Sequence, residues 1–327
     1  SPHERLEDAL AEVLPQLEGA YSLVIMTPTE LAAVRDPYGV RPLAIGQLSD
    51  GRHILSSESC AIRVVGGRFQ REVEPGEAVI IGPGGMREVQ ILPLARRATC
   101  VFEFIYFARP DTQIFGRTIY EARRRMGHFL AKEHPAKGAH IVIPIPDSAV
   151  PAALGYAEAS RIPFGEGLVK NRYIQRTFIQ PAQTMRDLGA RMKFSPLREA
   201  LAGHKVVMVD DSIVRGTTTG KLVNMLREAG ATEVHVRITS PPVRFPCFYG
   251  IDMADQKELV AARKSVDEIR ELIGATSLGY LSLEGVMRAI NLPKSLFCRA
   301  CFDGKYPITV PPEVRGAKMN IEEPQTD

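Results

Sequence analysis

Hydrophobic positions follow two regimes along this chain, and the change falls near residue 97. Ahead of it, short apolar runs at Tyr21–Met26, Leu43–Ile45, His53–Ser56 and Ala78–Ile81 are separated by Gly, Pro and Asp. That punctuation predicts strands joined by tight turns. A helical pattern at Arg5–Leu14 precedes them. Beyond residue 97, apolar strands alternate with segments of helical period: Ile119–His134, His140–Pro144, Val150–Ser160, Lys205–Val209, Val214–Glu228 and Glu233–Thr239. Strand–helix alternation predicts a parallel sheet with crossover helices. Two further helical patterns follow at Ser265–Ile273 and Leu283–Ile290. From Pro311 the chain is Pro-rich and polar, the composition of a disordered tail. The expected division is therefore 1–96, 97–262, 263–310 and 311–327, with no internal repeat.

Composition narrows the function classes only by exclusion. A length of 327 residues suits two domains, each able to bury a core. Hydrophobic content of 45% and charged content of 24% are ordinary for a globular protein. A net charge of +3 gives no reason to expect nucleic acid or membrane binding. No apolar run approaches the roughly 20 residues of a membrane span, and no signal peptide is present, so a cytoplasmic location is expected. The first residue is Ser1 and not Met, so the chain looks cut or incomplete at its start.

The chemistry concentrates in residues 205–220, Lys-Val-Val-Met-Val-Asp-Asp-Ser-Ile-Val-Arg-Gly-Thr-Thr-Thr-Gly. Val206–Val209 reads as a buried parallel strand. It ends in two adjacent carboxylates, Asp210 and Asp211, and a Gly/Thr-rich loop. The amphipathic stretch Lys221–Ala229 follows, with Gly230 placed as a C-cap. Such a strand–loop–helix unit gathers N–H groups and hydroxyls where a phosphate is well held. The acids suit neutral ribose hydroxyls or a Mg²⁺ brought by the substrate. Read alone, an Asp-Asp pair before Gly-Thr is often only a turn and cap.

The cysteines are Cys60, Cys100, Cys247, Cys298 and Cys301. The two-residue spacing of Cys298 and Cys301 lets both thiolates reach one metal centre, which then needs two distant ligands. From spacing alone, packing thiols, a zinc site and an iron–sulfur cluster all stay open.

The 205–220 segment resembles the phosphoribosylpyrophosphate (PRPP) signature of type I phosphoribosyltransferases. The whole chain resembles the glutamine PRPP amidotransferase family. Six more segments carry that resemblance between about Leu6 and Pro311: Gly19–Leu23, Arg35–Leu43, Ser56–Ser59, Phe102–Asp111, Lys170–Tyr173 and Cys247–Asp252. It implies an α/β protein in which a partial N-terminal-nucleophile (α/β/β/α) glutaminase domain precedes a type I phosphoribosyltransferase parallel-sheet domain with C-terminal helices. It implies displacement of pyrophosphate from PRPP by ammonia, which glutamine supplies in the complete enzyme, to give 5-phosphoribosylamine, the first committed step of purine synthesis.

The same resemblance assigns residues. Asp210 and Asp211 would face the ribose hydroxyls and Mg²⁺, Ser212 would also bind PRPP, and Arg215, Gly216, Thr217, Thr218 and Thr219 would wrap the 5′-phosphate. Asp147 and Ser148 would form the pyrophosphate loop, with Ser148 near the metal. Lys170, Tyr173 and Arg176 would close on the substrate and bring cations to the departing pyrophosphate. Cys100, Cys247, Cys298 and Cys301 match the four positions that hold a [4Fe–4S] cluster in some family members, and Cys60 is left as a small buried residue. Feedback inhibition by purine nucleotides and a homotetramer are implied in the same way.

One part of the family pattern is missing. The family cleaves glutamine with an N-terminal Cys, and here no Cys precedes position 60. The expectation is a fragment of a complete enzyme, or a truncated one using free ammonia, with no glutaminase activity of its own. Two other readings use the same fold: a PRPP-binding regulator and a salvage purine phosphoribosyltransferase. The first lacks a winged-helix pattern or basic stripe here, and the second needs no four-cysteine set.

Overall fold

The structure, a computed structural model, describes residues 4–171, 173, 193–253 and 255–311. The chain forms two compact units. The first takes Ser1–Ile119, Pro246–Asp255 and Leu292–Asp327; the second takes Tyr120–Phe245 and Gln256–Asn291.

The first unit opens with helix α1 (Leu6–Val13), then β1 (Ser22–Met26), β2 (Leu31–Arg35), β3 (Ala44–Gln47), β4 (His53–Ser56), α2 (Ser59–Val64), β5 (Arg68–Glu72), β6 (Glu77–Gly82), β7 (Gly85–Gln90), β8 (Thr99–Cys100), β9 (Gln113–Ile114) and β10 (Arg117–Thr118). One antiparallel sheet runs β1-β2-β6-β7 and a second runs β4-β3-β5. Alternation along β2 and β6 shows how the layers stack. Ala32, Val34, Ala78 and Ile80 pack with Leu10 and Leu14 on the helix side. Ala33 and Val79 pack with Leu43, Ile45 and Val73 of the second sheet region. Helix, sheet and sheet therefore lie in succession. Burial on both faces also explains why β2 is silent in the sequence. A strand with two apolar faces shows no alternation, and Ala is a weak strand former.

The turn after β2 is organised by buried polar groups. Arg35 is fully buried, and its guanidinium donates to the carbonyls of Arg41, Val73 and Gly39. The Asp36 carboxylate accepts from the N–H groups of Tyr38 and Val40. Gly39 (φ +59) completes the turn. The turn's own carbonyls then set the next segment. Ala98 N donates to Tyr38 O and Cys100 N to Val40 O.

The second unit contains α3 (Ile119–Glu133), β11 (Ile141–Pro144), α4 (Val150–Ser160), β12 (Leu168–Lys170), β13 (Phe194–Pro196), α5 (Arg198–Leu201), β14 (Lys205–Asp210), α6 (Thr217–Glu228), β15 (Glu233–Ile238), α7 (Val266–Leu272), β16 (Ser277–Tyr280) and α8 (Leu283–Ile290). Its parallel sheet has the order β11-β14-β15-β16. Val206–Val209 of β14 are completely buried, as a strand covered on both faces must be. Helices α3 and α4 touch backbone to backbone. A Cβ on Gly155 would sit 1.8 Å from the Arg124 carbonyl oxygen, so only glycine fits there.

The sequence reading of 257–291 as two helical patterns omits β16, which adds the fourth strand. Ser277–Tyr280 is four residues long with a central glycine and no β-branched residue, so it carries almost no strand signal. The segments after Phe245 also divide between the units. Helices α7 and α8 join the sheet unit, whereas β17 (Phe297–Cys298) pairs in parallel with β8 of the first unit and is followed by the short α9 (Ala300–Asp303). Tyr249 donates to the Ile308 carbonyl and Tyr306 to the Pro246 carbonyl, closing these segments on each other.

At the β14–β15–β16 sheet, a buried cationic group shapes titration. Arg237 is 4% exposed and donates to the carbonyls of His134 and Val236 and to Ser277 Oγ. His134 and His235 are both held below the usual 6.5, first by burial and then by the Arg237 charge. The unfolded chain binds protons at these imidazoles below about 6.5 that the folded unit does not. Their contribution is full above that value and declines as the pH falls through it. Between about pH 7 and about pH 5 the urea-unfolding midpoint of a His134→Gln/His235→Gln variant should therefore fall less, or rise more, than that of the unmodified chain. Equal slopes for the two proteins would contradict this account.

Candidate active site

Strand β14 ends at Asp210 on an edge fixed by neighbours on both sides. Thr239 N and Ser240 N of the segment after β15 hold the carbonyls of Asp210 and Asp211. The side chains of consecutive residues then diverge. Asp210 Oδ1 accepts the Asp211 N–H at 2.9 Å. Asp211 Oδ2 accepts Ser148 Oγ–H and its Oδ1 accepts Ser212 Oγ–H, each at 2.8 Å. Burial pushes both carboxyls upward; for Asp210 the neighbouring Asp211 charge adds to it. Two buried acids one residue apart form a site short of positive charge.

Cations reach them from two directions. Arg123 on α3, 2% exposed, favours the Asp211 anion. Lys193 favours the Asp210 anion. Neither was signalled by sequence. Arg123 is one of three consecutive arginines in a helix, and Lys193 lies outside every motif. Lys193 stands at the base of the antiparallel β12–β13 ribbon, where Asn171 N donates to its carbonyl. The opposite arm of that ribbon ends in Lys170, whose Nζ pairs with Asp147 at 2.5 Å.

The Gly/Thr loop leads into α6. Gly216 has φ +82, and Thr217 begins the helix. Thr217 and Thr218 are exposed, and Thr219 is buried. The helix begins at Thr217, inside the Val214–Glu228 stretch expected to hold both the loop and the helix. Arg215 points its guanidinium at Glu258, forming an ion pair.

The structure thus brings Asp147, Ser148, Lys170, Asp210, Asp211 and Ser212 together and opens the helix at Gly216–Thr219. The Tyr173 side chain is 98% exposed and touches nothing of the site. Arg176 lies outside the described residues.

The first unit holds the second group of candidates. Strands β8 and β17 put Cys100 and Cys298 in register, and Cys301 follows in α9. The Cys247 Sγ accepts the Tyr249 N–H. The Cys301 thiol is pushed well up by burial and then by the charges of Cys100, Cys298 and Cys247, so all four lie within electrostatic reach. Cys298 is pushed up to about 11, again chiefly by burial. Phe102 stacks on Phe302 at 5.5 Å nearby in the chain, and Phe104 meets Phe297 edge-on at 5.6 Å. Among the described residues, no three His, Cys, Asp or Glu side chains are placed to hold a metal ion. Cys60 is buried beside Glu58.

Comparison with known proteins settles the family. Residues 3–64 match the family described as a glutamine amidotransferase domain. The chain is 53% identical to the amidophosphoribosyltransferase of Synechocystis sp., over 93% of this chain and 62% of that protein. It is 49% identical to that of Bacillus subtilis, over 98% of this chain and 68% of that protein. The solved B. subtilis glutamine PRPP amidotransferase complexed with ADP and GMP superposes with a TM-score of 0.88 at 49% identity, covering 96% of this chain and 69% of that one. The chain belongs to the amidophosphoribosyltransferase family. The resemblance carried by the seven motifs is borne out, and so is the α/β fold class, with its glutaminase-type layers and parallel-sheet transferase unit. The chain spans just under two thirds, 62% and 64%, of the first two curated relatives it matches.

A pair of buried acids held against mutual repulsion costs the ligand-free protein stability. Asp210→Asn keeps the shape and removes one charge. Its thermal midpoint without ligand should rise by roughly 2–4 °C, as expected for a site strained for function. A fall in midpoint would mean that the carboxylate is already neutralised by its surroundings.

Proposed function

We propose that the sheet unit binds PRPP and transfers its phosphoribosyl group to ammonia, as the transferase half of an amidophosphoribosyltransferase. The observation that supports this most directly is the Asp210–Asp211 pair at the end of a buried parallel strand, followed immediately by a helix opening at Gly216. The acids accept the ribose hydroxyls. The N–H groups and hydroxyls of Gly216–Thr219 face the 5′-phosphate, where a helix start favours an anion. Ser148 and Asp147 lie at the pyrophosphate end, and Lys170 supplies a cation there.

In the reaction, the bond from C1 to the pyrophosphate oxygen breaks and a bond from C1 to ammonia nitrogen forms. The nitrogen then loses a proton to solvent. No general base is needed, because ammonia is itself the nucleophile. The protein's part is to align C1, stabilise the leaving charge and exclude water. Asp210, Asp211 and Ser148 form an oxygen donor set that fits Mg²⁺, and the upward push on both acids supports a need for such a cation. When bound, Mg²⁺ neutralises charge on the pyrophosphate.

Cys100, Cys247, Cys298 and Cys301 fit a [4Fe–4S] cluster by donor chemistry. Zinc is the alternative metal for the same thiols. A cluster spreads its ligands over several irons. The role we assign to it is structural, because its four candidate ligands belong to β8, β17, α9 and the 246–255 segment of the first unit. The further readings are purine nucleotide inhibition, for which the B. subtilis complex with ADP and GMP gives support, a homotetramer, and a cytoplasmic location. For the last, no helix among the described residues is long and apolar enough to cross a membrane.

Incubated with PRPP, Mg²⁺ and ammonium, the purified chain should release pyrophosphate. Asp211→Asn should lower kcat/KM by roughly 100-fold. A chain that binds PRPP without releasing pyrophosphate would favour a regulator, and exchange of a purine base would favour a salvage enzyme. Replacing ammonium by glutamine tests the expectation from sequence that no glutamate forms. Separately, anaerobic reconstitution with iron and sulfide should load about four irons per chain with broad visible absorbance. Cys301→Ser should abolish that absorbance; unchanged loading would remove Cys301 from the ligand set.

A further inference from the structure

The loop between Asp211 and α6 has few partners of its own. Ser212 bonds back to Asp211, and Gly220 N closes the first helical turn on Gly216 O. Two ties reach it from elsewhere in the same unit, and they fall on adjacent loop residues. Val260 N donates to the Val214 carbonyl at 2.9 Å. Glu258 pairs with the Arg215 guanidinium. The segment that supplies both ties is firmly seated, since Leu259 is fully buried and Val260 is 4% exposed. On the loop side Ile213 is 1% exposed and shares a core with Val260. The Arg215 side chain also lines a cavity of about 550 Å³ along α6, with Thr217, Lys221, Leu272 and Ile273, and none of the site's carboxylates lines that cavity.

We infer that Glu258 is a positioning residue for the phosphate loop: it holds Arg215 outward and fixes the turn, so that the backbone N–H groups and threonine hydroxyls of 216–219, and not the Arg215 guanidinium, receive the sugar phosphate. This rests on the phosphoribosyl reading above and deepens it. A cation next to a phosphate loop is expected to grip the phosphate. Here the acid partner and the adjacent backbone bond together commit Arg215 to the frame of the loop. Glu258 itself meets no substrate atom.

The pair is exposed, 46% at Arg215 and 41% at Glu258, so breaking it leaves the fold intact and the effect is modest. PRPP affinity with Mg²⁺ is measured by calorimetry for the unmodified chain, Glu258→Gln, Arg215→Gln and the double variant. Amide exchange of residues 212–219 is measured on the same proteins without ligand. Each single variant should weaken PRPP about two- to fivefold, and the double variant no more than either alone. Exchange at 212–216 should quicken in Glu258→Gln. In turnover with ammonium, Glu258→Gln should raise KM and leave kcat in place. Tighter PRPP binding by Glu258→Gln would show that Glu258 competes with the phosphate for Arg215, and overturn the inference. So would a loss in Arg215→Gln far beyond that in Glu258→Gln, which would put the guanidinium on the phosphate. If the unmodified chain gives no heat with PRPP, the phosphoribosyl reading fails, while unchanged exchange at 212–216 in Glu258→Gln would refute the positioning role by itself.

Discussion

Two carboxylates at the end of one buried strand set the charge arrangement of the site around them. Strand β14 is paired on both sides and packed on both faces, so it cannot swing its end toward water. Asp210 and Asp211 are therefore held where charge is costly, and burial raises both. Around them the chain places Arg123 behind and the β12–β13 ribbon in front, with Lys170 on one arm and Lys193 on the other. Asp147 extends the acidic side and takes Lys170 as its partner. The ligand-free site is thus a set of anions whose repulsion these cations only partly offset.

How much of this was legible in the sequence depended on whether a residue's role is set by its neighbours in the chain. The acid pair, the glycine turn and the helix start all lie between Asp210 and Thr219, and local chemistry explains each. The elements with a single buried face, α1, α3 and α8, carry periodicity and fall within a few residues of their expected ends. Strands β2 and β16 carry none. The first is apolar on both faces, and the second is too short and too glycine-like to stand out. Arg123, Lys193 and Glu258 were invisible for a different reason. Each acts through a partner 17 to 88 residues away, and an arginine or glutamate on a helix or loop looks the same whether it meets solvent or a buried acid. The units also exchange segments at 246–255 and 292 that no change of composition marks.

The first unit handles burial by the opposite means. Its turn at 35–41 encloses Arg35 and Asp36 and satisfies them with backbone groups. The same turn then presents Val40 O to the Cys100 N–H. A motif far from any cysteine in sequence therefore fixes the register of β8, and β17 copies that register to place Cys298 beside Cys100. The conspicuous Arg-Asp-Pro-Tyr-Gly-Val-Arg run is, on this geometry, part of the frame for the thiols.

Acids and thiols differ in what burial does to them at neutral pH. A buried carboxyl is pushed upward by burial, and a lysine or arginine in reach opposes that push. A buried thiol among aromatic rings stays protonated, as the upward push on Cys298 and Cys301 requires. The thiols then contribute as small apolar groups, and the unit can hold its shape before any metal arrives. The cluster proposed for these thiols would have to displace their protons, so its uptake would release acid and weaken as the pH falls. The acid pair has the reverse character, because the repulsion between its charges is only partly offset by Arg123 and Lys193. One chain thus contains a thiol cluster that is comfortable empty and a carboxylate site that is not, and the difference follows from the side chains each strand end happens to bury.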